Sequence, residues 1–335
     1  MLKPSPVTLL LVRDNVVSPD RLARDPSLVL VRRGVYAARE AWQALAPWEK
    51  YLARVHAVAA TVRHPAFCFE SAAALHGIPV FDEPRDIHLL SGSSASWRHG
   101  DLIVHGSSEK RALAPVDGIA LTGKLDTAID LCRVLPPAQA LAVGDVALRG
   151  VRALGTQIDL AEYGRAQANR RGLRQLAWVQ ARVRADAESV GESVSRAVIE
   201  WLGYAEPELQ VTFHSEGKSD RVDFFWRDAS VIGESDGYGK YDASDAHATK
   251  RIFVNEKLRE DRLRRQVKGF ARWDWGNTIA YEELDARLRS AGLTPVRPRQ
   301  PAMLDTLTSD IRPRMKRTAP TRVDAAEPSG SRRAK

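Results

Sequence analysis

Asp223, Glu234 and Asp236 are the residues of this chain whose types and spacing most clearly could do chemistry. They lie in Arg221-Val222-Asp223-Phe224-Phe225-Trp226-Arg227-Asp228-Ala229-Ser230-Val231-Ile232-Gly233-Glu234-Ser235-Asp236-Gly237. If Arg227 to Ser230 forms a turn, Trp226 pairs with Val231 and Asp223 falls opposite Glu234. Side chains alternate along a strand, so the three acids share one face, while Val222, Phe224 and Trp226 point the other way toward a core. Carboxylates crowded on one face repel unless a positive charge sits among them. A divalent cation meets that need, and Mg²⁺ typically uses one or two carboxylates plus substrate phosphate. The chemistry implied is metal-assisted phosphodiester hydrolysis, in which the ion polarises a phosphoryl oxygen and activates water. The same acids also suit a solvated hairpin face, which needs no ligand.

The elements that must position them alternate in type. The spacing predicts a helix over Gly191–Leu202, then strands over Leu209–Phe213, Arg221–Trp226 and Val231–Asp236. A helix over Phe253–Gln266, a strand over Phe270–Trp275 and a last helix over Tyr281–Ala291 follow. This order predicts an α/β fold with a mixed sheet flanked by helices. Upstream, Ser27–Ala37 reads as two strands around the basic turn Arg32-Arg33-Gly34. Helices are expected over Trp48–Val62, over Ser71–His76 up to Gly77, and over Thr122–Arg133 and Pro137–Arg149. The N-terminal half is thus a smaller α+β region. The boundaries fall at 1–45, 46–155, a helical linker at 156–188, the acid-bearing domain at 189–298 and a basic disordered tail at 299–335.

Composition narrows the class. The chain has 335 residues, 44% apolar and 27% charged, which excludes wholesale disorder. It contains no long uncharged apolar run to span a membrane, and its start lacks a signal-peptide pattern. Two cysteines, Cys68 and Cys132, are too few for a disulfide framework, so a cytoplasmic location is expected. The net charge of +8 is uneven: residues 311–335 hold eight Lys or Arg against two acids. Inside the body, six arginines and no acid lie between Arg165 and Arg184, and eight basic residues lie between Arg251 and Arg272. Each run reads either as a nucleic-acid contact or as a solvated face.

The ordered set Gly191-Glu192-Ser193, Pro207-Glu208-Leu209-Gln210, Val222-Asp223-Phe224, Gly233-Glu234-Ser235-Asp236-Gly237, Lys240-Tyr241, Glu256–Leu263 and Arg272-Trp273-Asp274-Trp275 resembles the PD-(D/E)XK restriction-endonuclease-like fold. More narrowly, it is similar to bacterial domains of unknown function related to very-short-patch repair endonucleases. The resemblance spans about a third of the chain, Ser189 to Leu293. It implies that Glu192, Asp223, Glu234 and Asp236 are catalytic and hold Mg²⁺ or Mn²⁺. Asp236 stands where the wider superfamily has lysine, so the cation must come from elsewhere: Lys240 first, Lys257 second. The general base stays unassigned.

Arg32-Arg33-Gly34-Val35-Tyr36, Glu70–Pro79 and Thr122–Leu131 resemble the AbiEi-like antitoxins, whose N-terminal winged helix binds DNA. The whole chain looks like actinobacterial fusions of such a half, here with an abbreviated winged-helix-like segment, to the nuclease-like domain. Arg32 and Arg33 at the wing, and Arg259 and Arg262 on the later helix, are the expected DNA contacts. Two functions are therefore expected. One is a DNA-binding, Mg²⁺-dependent endonuclease. The other is an antitoxin-like transcriptional regulator whose nuclease-like domain is inactive, with a cognate toxin or a second copy as partner and no membrane association.

Overall fold

The computed structural model describes residues 1–14, 19–93, 95–107, 113–153, 155, 158–237 and 246–308. Lys240, Tyr241 and the tail from 309 onward lie outside the described residues. Among the described residues, helices and three sheets make a mixed α/β structure, with mixed sheets flanked by helices. No described helix is long and apolar enough to cross a membrane.

The N-terminal sheet is antiparallel, with Val35–Ala38 between Leu10–Leu11 and Leu28–Arg32. Its hairpin turns at Gly34, whose φ of +79° a residue with a Cβ rarely adopts. A six-stranded mixed sheet follows, built around Leu102–Gly106, Ile87–Ser91 and Ile119–Thr122. The helix Phe69–His76 lies against it and stops at Gly77 in the left-handed region, as the Gly-Ile-Pro sequence predicts.

The last sheet runs in the order Glu208–Ser215, Lys218–Trp226, Val231–Ser235, Gly269–Trp273. The first three strands are antiparallel, and the fourth pairs parallel to the third. Helix Val190–Trp201 packs on one face through Val194 and Val198, in a core shared with Phe224, Trp226 and Trp273. Helix Ala246–Arg264 packs on the other face through Leu263, over Val222, Phe225 and Ile232.

That division corrects the expected alternation, because Val222 does not share a core with Phe224 and Trp226. The phase changes at Gln210, which falls opposite Asp223 between the pairs Leu209↔Phe224 and Val211↔Val222. Gln210 has φ +55°, a kink that turns Leu209 toward one core and Val211 toward the other. The last strand also ends sooner than expected. Asp274 accepts a hydrogen bond from Asn277 N–H at 2.8 Å and caps a short helix, Trp275–Ile279.

Two expected boundaries differ. Of the expected helical linker 156–188, the described residues 158–188 carry the helices Leu160–Ala166 and Leu173–Gln180, which pack into a core rather than link. Leu176 and Val179 sit in the same core as Leu141, Val198 and Trp201. Gly144 lets this layer close, since a Cβ there would lie 2.7 Å from Val179 Cγ1. Residues 299–308, assigned to a disordered tail, form a helix over Pro301–Leu304 and a 3₁₀ turn over Asp305–Thr308. Leu304 and Leu307 are buried, so apolar burial overrides the Pro- and Arg-rich start of the segment.

Candidate functional site

The hairpin forms in the register that alternation predicts: Trp226 pairs with Val231, Phe225 with Ile232 and Phe224 with Gly233. Asp223 and Glu234 therefore follow as opposed neighbours. Asp223 Oδ2 accepts a hydrogen bond from Ser235 N–H at 2.8 Å. Glu234 is only 8% exposed. Burial, reinforced by the charge of Asp223, pushes its carboxyl up to about 7, although Arg259 pulls the other way.

The positive charges at the site are arginines. Arg259 Nη2 lies 2.9 Å from Glu234 Oε1, and Arg259 also meets Glu256 at 3.2 Å. Arg272 stands beside Glu234 in the parallel register, yet its Nε donates to both oxygens of Asp236, at 2.9 and 2.7 Å. Its remaining nitrogens meet Glu256 at 3.2 Å and Glu260 at 3.1 Å. Beside them, Arg262 grips Asp220 bidentately at 2.9 and 2.8 Å and holds that carboxyl below its usual range. Helical spacing explains the set: Glu256, Arg259, Glu260 and Leu263 recur at three- and four-residue intervals, one stripe turned to the sheet.

Glu192 is buried at the start of its helix, where Ser189 caps the Glu192 N–H at 3.1 Å. Its Oε2 accepts from Glu188 N–H and from Gln210 Nε2, each at 2.9 Å. The helix acid thus reaches the kink opposite Asp223 through Gln210. Lys257 is exposed, off the stripe that faces the sheet. Of the expected DNA contacts, Arg259 and Arg262 are turned to carboxylates, and Arg32 is bound to Asp101 at 2.6 and 2.8 Å. Arg33 is exposed. Arg272 and Gln210 are the residues that sequence reading missed as parts of this cluster. Only the parallel pairing and the kink reveal them.

Asp223 and Glu234 suit a divalent ion in their chemistry: hard oxygen donors that repel one another, one of them buried. All four expected acids have protein partners: Asp223 the Ser235 N–H, Glu234 Arg259, Glu192 the Glu188 N–H and Gln210, and Asp236 Arg272. Among the described residues, no group of three or more His, Cys, Asp or Glu side chains is disposed to hold a metal ion.

The fold and this cluster define a class: mixed α/β proteins whose last sheet carries a carboxylate pair buttressed by arginines. The chain belongs to one family with two uncharacterized proteins of Mycobacterium tuberculosis. They are MT2308 of strain CDC 1551 / Oshkosh and Rv2248 of strain ATCC 25618 / H37Rv. Each is 31% identical over 246 residues, covering 73% of this chain and 84% of the relative. No protein-family model matches the chain, and no solved structure does.

Proposed function

We propose that this is a DNA-binding protein whose residues 189–298 form a restriction-endonuclease-like domain hydrolysing phosphodiester bonds with Mg²⁺ or Mn²⁺. The observation that carries this reading is the placement of Asp223 beside a buried Glu234, one step beyond the Phe224–Gly233 pair of the hairpin. The order of elements supports it too. Glu192 lies on the first helix, Asp223 on the second strand and Glu234 on the third, as the family resemblance implies. Asp223 and Glu234 would hold the ion, and a bound ion supplies charge neutralisation at a phosphoryl oxygen and a more acidic water. Glu234 must give up its proton to bind, so metal affinity rises with pH through about 7. Glu192 and Gln210 brace the kink beside Asp223.

The test is cleavage of supercoiled plasmid in Mg²⁺ or Mn²⁺ by the parent, Asp223→Asn and Glu234→Gln. Nicking by the parent that both variants lose, with their folds retained, supports the reading. Cleavage by Asp223→Asn at the parent's rate overturns it.

One observation favours a second reading. Arg259 and Arg272 already supply positive charge to Glu234 and Asp236. On that reading the domain is inactive and the protein is an antitoxin-like regulator, with residues 1–45 as a winged-helix-like segment presenting Arg33 to DNA. A cognate toxin or a second copy would be its partner. It predicts metal-independent DNA binding without nicking, and weaker binding on Arg33→Gln.

A further inference from the structure

Most arginines of the last domain are spent on carboxylates, whereas the segment just before it carries four that are exposed. Of the six arginines between Arg165 and Arg184, Arg182 is held by Glu200 at 2.7 Å over the Trp178 ring, and Arg184 meets Glu206 at 2.8 Å. Arg165, Arg170, Arg171 and Arg174 are exposed, and no acid lies within the run to neutralise them. They cluster at the turn between helices Leu160–Ala166 and Leu173–Gln180.

That turn is organised from inside by Arg133, which is 6% exposed. Its guanidinium donates to the carbonyls of Gly164 at 2.6 Å and Arg171 at 3.4 Å, and to that of Asn169. Arg170 Nη1 donates to the Arg165 carbonyl at 3.0 Å. Gly172, at φ +73°, closes against Arg133, where a Cβ would lie 2.6 Å from the Arg133 carbonyl oxygen. Four carbonyls of the turn, those of Gly164, Arg165, Asn169 and Arg171, are thus drawn into hydrogen bonds within the protein, and four exposed guanidinium groups stand on a backbone held in place. Ordering the turn in advance removes part of the entropic cost of binding.

We propose that Arg165, Arg170, Arg171 and Arg174 form a docking surface for the phosphodiester backbone of duplex DNA. Guanidinium forks match phosphate oxygens bidentately. The exposed residues among them are Ala166, Ala168 and Asn169, with no large apolar side chain to anchor a protein partner or enter a lipid surface. The proposal rests on the DNA-binding part of the reading above and not on cleavage. It moves the contact from the arginines of helix Ala246–Arg264 to this turn.

The experiment is fluorescence anisotropy of a labelled duplex with the full chain in EDTA, repeated across salt concentrations. The R165Q/R170Q/R171Q/R174Q variant is expected to bind at least ~10-fold more weakly near 0.1 M salt, with a log–log salt slope shallower by roughly 3 to 4. R182Q/R184Q, which removes paired arginines, is expected to leave the slope nearly unchanged. The assignment is overturned if the parent does not bind duplex or if the quadruple variant binds like the parent. An equal loss per charge in R182Q/R184Q, or displacement of the duplex by poly-glutamate at equal charge, overturns it too. Cleavage by Asp223→Asn at the parent's rate would sink the nuclease reading while leaving these binding outcomes intact.

Discussion

Arg259 reaches from the covering helix to Glu234 at 2.9 Å, while Arg272, Glu234's own neighbour in the parallel register, turns away to Asp236. The buried glutamate is therefore held by one arginine from outside its sheet, and that arginine is shared with Glu256. One partly shared guanidinium does not offset the desolvation of Glu234 and the charge of Asp223, so its carboxyl stays near neutrality.

This arrangement makes stability depend on pH. With a folded value of about 7 against an ordinary 4.5, Glu234 keeps its proton longer in the folded chain. The cost of ionising it is absent below 4.5, grows between the two values and is complete above 7, where it reaches about 3 kcal/mol. Urea unfolding from pH 5 to 8 should show the parent losing roughly 2–3 kcal/mol relative to Glu234→Gln. A constant difference across that range would falsify the assignment. Arg259→Gln should push the Glu234 carboxyl higher still, read by carbon NMR titration.

Asp145 and Arg196 are both buried and lie 2.8 Å apart, joining helix Pro137–Ala153 to the helix that carries Glu192. Asp145 also accepts from Arg184 N–H at 2.7 Å, and burial raises its carboxyl. Asp145→Ala strands a buried guanidinium and should cost about 3–5 kcal/mol. Replacing both, as Asp145→Leu with Arg196→Met, should recover most of it. Calorimetric melting of the three variants decides the matter, and a double variant no better than the single one contradicts it.

Gly233 lies under two indoles. A Cβ there would sit 2.6 Å from Trp273 Cη2 and 2.9 Å from Trp226 Cζ3. Gly233→Ala should destabilise by about 1–3 kcal/mol through overpacking. Trp273→Phe removes the offending ring edge, so the double variant should cost less than the sum of the single ones. Additive costs in a denaturant double-mutant cycle would rule out the clash.

The segment after 298 should behave as part of the core. Gln300 N–H donates to the Trp201 carbonyl at 2.8 Å, Arg299 binds Asp285, and Leu304 and Leu307 are buried. A chain ended at 298 should melt well below one ended at 308, since two buried leucines contribute about 1.5–3 kcal/mol each. Equal melting temperatures would return residues 299–308 to the surface.

Much of the last sheet was legible in order and register. The Trp226–Val231 pairing follows from apolar alternation around a short turn, and the helix stop at Gly77 from a glycine that tolerates a left-handed backbone. These are local matters, decided by neighbours a few residues apart, so the amino-acid sequence by itself determined them, together with the positions of Glu192, Asp223 and Glu234 in the order of elements. The partners of the charges were not local. Arg32 finds Asp101, Arg262 finds Asp220 and Arg259 finds Glu234, each far along the chain. A run of arginines reads the same whether its members are spent or exposed. Only packing set Arg259 and Arg262 against carboxylates and left Arg165, Arg170, Arg171 and Arg174 facing outward. The kink at Gln210, which splits Val222 from Phe224, was likewise decided by the tertiary structure. Val222 and Phe224 stand two residues apart on one strand yet fall to opposite cores, and regular alternation, which puts such residues on one face, cannot do that without a break in phase.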